Sequence, residues 1–297
     1  MESHALFPVT NVPVPASLIG FNKVASMFEL CHMGLPILDT IVVTRWTDED
    51  AKEMVSYIAL RGWPQVMVRS DQNPETPNSP RGGRLFELNT LSSVVANILS
   101  AGRIAILMEP ANKYDNLYGV NVLLESHTGQ ALLEIVGPGF DATDLNRGDI
   151  SPHESICLHI KDDVVTCHVA QRSTISHDEY IETVRQRLSK IGREAIKHGA
   201  ISCHNLATES LEEMGLRYLR SAGCTLLNPA EYRQFPRQFL VRLVSHIRDL
   251  PWMLRASKED TEYIISASAL NSARPKFVFW DIVRPSTKYG FGQRNRP

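Results

Sequence analysis

Cysteine is scarce and scattered: Cys31, Cys157, Cys167, Cys203 and Cys224 form no Cys-x-x-Cys pair. An odd, widely spaced set argues against a disulfide framework and against a structural zinc site, and it reads as buried thiols. Cys167-His168 and Cys203-His204 place thiol beside imidazole. Neighbours on a strand point to opposite faces, however, so neither pair makes a nucleophilic dyad by itself. An excess of one charge is also lacking. Lys and Arg number 31 against 33 Asp and Glu, a formal net charge of -2, which gives no support to bulk attraction for nucleic acid or membrane. No apolar run approaches the roughly 20 residues that span a bilayer. Residues 1–17 carry prolines and no basic n-region, so they do not read as a signal peptide, and the expectation is a soluble, cytoplasmic chain. Internal repeats are missing, and so is the Gly-x-Ser-x-Gly elbow of the α/β hydrolases.

What is present is apolar patterning. With 43% hydrophobic residues in 297, the chain is long enough for one large domain or two ordinary ones. Helical spacing of Val24, Met27, Phe28, Leu30 and Cys31 predicts a helix over 18–34, ended by Gly34-Leu35-Pro36. A buried strand is expected over 37–44, a helix from Thr47-Asp48, and a strand over 65–70 that runs into Arg69-Ser70-Asp71. Residues 72–84, with prolines and paired glycines, read as a loop, followed directly by helix to about Leu99. Strands are expected at 103–109, 118–125 and 131–136, then a turn-rich loop over 136–149 and strands at 156–160 and 163–170. An amphipathic helix over 177–199 leads to helices at 207–221 and 229–249. The chain closes with residues 261–270 and a strand over 277–283. This order suits a mixed α+β protein of two small lobes better than a doubly wound sheet.

Four local features have the residue types that phosphate chemistry uses. Gly20-Phe21-Asn22-Lys23 puts a lysine at a helix start, and Arg69 stands at a strand end. Ser79-Pro80-Arg81-Gly82-Gly83-Arg84 offers backbone N–H groups on glycines, and Trp280-Asp281-Ile282-Val283-Arg284-Pro285 closes the last strand. Each is weak alone, but their order is informative. Gly20–Lys23, Gly34-Leu35-Pro36, Val66–Ser70, Ser79–Leu88, Ile104–Glu109, Gly119-Val120, Glu134–Pro152, Asp260–Tyr263 and Ile282–Pro285 run in one sequence along the chain. In that order they resemble the nucleotide-binding region of the pyruvate phosphate dikinase, phosphoenolpyruvate synthase and rifampin phosphotransferase family.

The resemblance implies an α+β, ATP-grasp-like fold with a nucleotide crevice between two lobes. It implies an N-terminal lobe over residues 1–102 and a C-terminal lobe over 103–297, with a helical insertion at about 177–250. It implies ATP and Mg²⁺ as cofactors. Lys23 and Arg69 would hold phosphate oxygens, Gly82 and Gly83 would cover them, and Glu109 would meet the adenine. Glu262 and Asp281 would supply metal oxygens, and Arg284 would neutralise the transferred phosphoryl group, with Lys23 and Arg284 as catalytic cations. The implied activity is that of a carboxylate–amine ligase or a phosphotransferase acting on a small molecule or a partner protein. The chain also departs from the pattern. Phe140 stands where the family has a carboxylate, Phe86 where it has Thr, and Ile282 where it has Gln. These departures motivate an alternative, a degenerate nucleotide-binding sensor or scaffold without turnover.

Overall fold

The computed structural model describes residues 6–74, 83–111, 116–137, 140–147, 150–161, 164–172, 177–197, 209–221, 235–255, 262–270 and 276–283. They form a mixed α+β structure that divides into two units. The first comprises Met1–Ala111, Met253–Ile265 and Val278–Pro297, and the second Asn112–Trp252 and Ser266–Phe277.

In the first unit, strands β1 (Leu6–Pro8), β2 (Thr40–Val43), β3 (Gln65–Asp71), β4 (Arg84–Glu87) and β5 (Ile104–Met108) make a sheet of order β1-β2-β5-β3-β4. Every pairing in it is antiparallel. Every residue of the central strands β2 and β5 is buried, as their unbroken β-branched and aliphatic runs require. One face of the sheet, with Ile41, Val43, Val66, Val68, Ala105 and Leu107, packs on Met54 and Ile58 of helix α2 (Asp48–Arg61) and on Leu91 and Val95 of α3 (Leu88–Ser100).

Helix α1 (Asn22–His32) buries Val24, Met27, Phe28 and Leu30. It ends where Gly34 adopts φ +73°, a left-handed conformation that favours glycine, with Gly34 N–H donating to Cys31 and Leu35 N–H to Leu30. Thr47 caps α2 by accepting from the Asp50 amide, and its hydroxyl donates to the Asp50 carboxylate.

The second sheet has the order β11-β10-β6-β7-β8-β9, from β6 (Asn116–Glu125), β7 (Gln130–Val136), β8 (Glu154–Lys161), β9 (Val164–Arg172), β10 (Glu262–Leu270) and β11 (Lys276–Val283). The unit division falls within β10 and β11. In the second unit Tyr118, Phe235, Phe239 and Phe277 form an aromatic cluster with ring centroids 5.0 to 6.4 Å apart. Helices α5 (His177–Lys197) and α6 (Leu211–Ser221) cross at Gly192 and Gly215, where a Cβ on either would run into the backbone carbonyl of Leu211 or Leu188.

Several expectations need correction. Residues 84–87 are strand, because they pair with β3 (Val68↔Arg84 to Gln65↔Glu87) before α3 begins at Leu88. The expected loop over 136–149 contains helix α4 (Ala142–Arg147), whose first amides are satisfied by the Asp141 carboxylate. The expected helix over 229–249 does not include Phe235 and Pro236. Helix α7 (Arg237–Ile247) starts after Pro236, and α8 (Leu250–Arg255) follows it. Part of that expected helix, and part of the one over 207–221, lies outside the described residues. Strand β1 is too short for a period to emerge from the sequence. No helix among the described residues is long and apolar enough to cross a membrane.

Candidate functional site

Of the residues singled out above, Lys23, Arg69, Gly83, Glu109, Glu262 and Asp281 are described, and all lie in the first unit. Gly82 and Arg284 lie outside the described residues. The alternation of β3 sets the geometry. Val66 and Val68 turn into the core, so Met67, Arg69 and Asp71 share the opposite face. On that side the N-terminus of α1 meets the end of β3. The Asp71 carboxylate accepts from the amides of Lys23 at 2.8 Å and Val24 at 3.2 Å through one oxygen. Its other oxygen accepts from the Gln72 amide at 2.9 Å and lies 3.7 Å from Lys23 Nζ. Lys23 Nζ also donates to the Ser70 carbonyl at 3.3 Å. Asp71 thus caps a helix whose second residue, Lys23, lies 48 residues earlier, since Phe21 at the cap position supplies no side-chain acceptor. Burial pushes the Asp71 carboxyl above its ordinary range, and the Lys23 ammonium and the three amides work against that rise.

Arg69 is half-buried and, among the described residues, its side chain has neither an ion-pair nor a hydrogen-bond partner. Gly83, next to β4, lies against it. A Cβ there would sit 3.0 Å from Arg69 Cγ and 2.8 Å from Met67 Cγ, so only glycine lets the backbone approach this closely. Gly20 packs in the same manner against the Asn73 side chain. Lys23, held on Ser70 and Asp71, and Arg69, packed by Gly83, thus both sit at the C-terminal end of β3.

Glu109 follows β5, its amide donating to the Asp39 carbonyl at 2.8 Å. Arg69 pairs with Ile106, so Glu109 stands three residues, roughly 10 Å, further along the strand. Asp39 in turn accepts from Tyr57 Oη at 3.0 Å and from Arg61 Nε, and the Arg61 guanidinium stacks on the Tyr57 ring at 3.4 Å. Burial, then the Asp39 charge and hydrogen bond, push the Tyr57 hydroxyl up to about 12, against the pull of Arg61.

Asp281 and Ile282 lie on β11. The Asp281 carboxylate accepts from Ser26 Oγ at 2.8 Å, and that oxygen accepts from the Ile282 amide at 2.7 Å. Ile282 is buried, as an apolar side chain there must be. Glu262 opens β10 and is partly exposed. No cluster of three or more His, Cys, Asp or Glu suited to a metal occurs among the described residues. Phe140 is buried in the second unit, edge-on to His153 and under the Arg187 guanidinium at 4.6 Å. Its role there is packing.

Sequence reasoning did not single out Asp71 and Ser26. Asp71 had a signal, since it follows Arg69 by two residues on a strand and must share its face. Ser26 had none, because its partners are distant in sequence.

The fold and these residues define a mixed α+β protein in which a lysine at a helix start is held at the end of the strand that carries Arg69. No protein-family model matches the sequence, and no curated protein matches it. Among solved structures, D-alanyl-alanine synthetase A from Vibrio cholerae aligns with 91% of this chain and 56% of its own at 7% identity, with a TM-score of 0.43. The ATP-grasp ligase PsnB, complexed with a minimal precursor, aligns over 90% and 52% at 8% identity and a TM-score of 0.31. A RimK domain ATP-grasp protein from Sphaerobacter thermophilus aligns over 52% and 60% at 13% identity and a TM-score of 0.27. The chain matches about half to three fifths of the length of these structures.

Proposed function

We propose that this chain is an ATP-grasp-type protein that binds Mg-ATP and acts as a carboxylate–amine ligase or phosphotransferase on a small molecule or a partner protein. The observation that carries the reading is Arg69. It is a half-buried residue whose side chain has no hydrogen-bond or ion-pair partner among the described residues. It stands on β3 two residues before Asp71, the partner of Lys23, and the Gly83 backbone approaches it closely. A planar fork in such a place is suited to phosphate oxygens, with Lys23 at the same end of β3 as a second, point charge. The order of the motifs along the chain adds support.

In the ligase form, a substrate carboxylate attacks the γ-phosphoryl group of ATP, releasing ADP and giving an acyl phosphate. An amine then displaces phosphate to form the amide. The chain's share of this is positioning and charge neutralisation. Lys23 and Arg69 hold the phosphates, the glycine segment covers them, Glu109 faces the base, and Arg284 neutralises the transferred group. Glu262 and Asp281 offer the hard carboxylate oxygens that Mg²⁺ takes together with phosphate and water.

Calorimetric titration of Mg-ATP into the full chain tests the reading. Saturable binding is expected, weakened about tenfold or more in Arg69→Met, as the loss of a charged phosphate contact demands. Absence of ATP or ADP binding by the folded wild type overturns it. The second reading, a nucleotide-binding sensor or scaffold without turnover, is favoured by one observation: Ile282 is buried and Asp281 is already engaged by Ser26. ATP turnover that disappears in Lys23→Ala and Glu262→Ala excludes it.

A further inference from the structure

Asp71 brings a negative charge into the cation cradle. Its side chain is fully buried and its two oxygens take three backbone amides and the Lys23 ammonium. Two amides at a helix start, a third from the following loop and a lysine are the donors that a phosphate group uses. Arg69, two residues earlier on the same face, is the cation that Asp71 does not engage.

We propose that Asp71 is a built-in counter-anion of this cradle, holding the Lys23 ammonium and the α1 amides against polyphosphate and thereby weakening the protein's affinity for it. The proposal rests on the nucleotide reading and deepens it. Lys23 is committed to an internal carboxylate, Arg69 makes the first contact, and full engagement requires the phosphate to compete with Asp71 for its donors. If Asp71 served only as a cap for α1, removing its charge while leaving an acceptor would have no effect on anion affinity, or would lower it.

The test titrates inorganic tripolyphosphate and, separately, Mg-ATP into the full chain as wild type, Asp71→Asn and Asp71→Ser. Asn retains a carbonyl acceptor and Ser a hydroxyl that can cap the helix. Circular dichroism checks that each variant is folded. Binding tighter by about tenfold is expected in both variants, because a like charge is removed from a buried site. The gain should vanish when Arg69→Met is added. In the wild type, the amide resonances of Lys23, Val24 and Gln72 should shift as tripolyphosphate binds, a readout that needs no variant. If the wild type binds and the folded variants bind no more tightly, or those three amides stay still, the counter-anion is overturned and the nucleotide reading stands. If neither wild type nor variants bind either probe, both fail.

Discussion

Ser26 and Asp281 are separated by 255 residues and joined by a 2.8 Å hydrogen bond, and the same serine oxygen accepts the Ile282 amide at 2.7 Å. Helix α1 is thus fixed at two points. Asp71 holds its first turn, and β11 is tied to it one turn later, at the position three residues after Lys23.

Ser26→Ala should therefore lower stability by about 1–3 kcal/mol, since it leaves a buried amide without its acceptor and removes one partner of the Asp281 carboxylate. Urea denaturation measures this. A shift in midpoint too small to distinguish from wild type would show that the serine does not tie α1 to β11.

Gly192→Ala and Gly215→Ala are each expected to cost about 2–3 kcal/mol or more. The added methyl has a backbone carbonyl in its way, and a helix backbone cannot rotate aside as a side chain would. Thermal unfolding of the two variants gives the comparison. Wild-type melting in both would mean that α5 and α6 do not cross at these glycines.

His153 makes stability depend on pH. Its Nδ1 accepts from the Gly137 amide at 2.8 Å, and burial lowers its pKa to about 4. The folded state holds the ring neutral, so its contribution is complete above the ordinary value near 6.5. The contribution falls as pH drops from about 6.5 to 4, by about 3 kcal/mol in all. Denaturation midpoints for wild type and His153→Gln over that range measure the effect. Parallel curves would contradict it.

Tyr57 should ionise late. A spectrophotometric titration of wild type minus Tyr57→Phe is expected to show the phenolate appearing near pH 12 rather than 10. Asp39→Asn should move that step downward, because it removes the charge and weakens the hydrogen bond at the hydroxyl. A step at 10 in the wild type would refute the Asp39 contact.

The placement of the candidate residues was legible where they obey local rules. Lys23 at a helix start, Arg69 at a strand end and the glycines beside Arg84 can all be picked out from spacing. The strand at 84–87 was not legible, because four residues leading into an apolar helix carry no period of their own. Helix α4 was hidden by the glycines around it, although its Asp141 cap is a local signal. Asp281 shows the limit differently. Alternation turns it and Ile282 to opposite faces, but says nothing of the serine that receives it.

The sequence by itself determined the α+β class, most of the longer helices and strands, the burial of its unbroken apolar strands, and the helix stop at Gly34. These depend on contacts between near neighbours and on which side chains avoid water. Only the tertiary structure decided that Asp71 caps α1 and that Ser26 meets Asp281. It also decided that the Arg69 side chain has no hydrogen-bond or ion-pair partner among the described residues. Those facts depend on which distant segments pack together, and in burial the free energy of a charge is set by its neighbours in space.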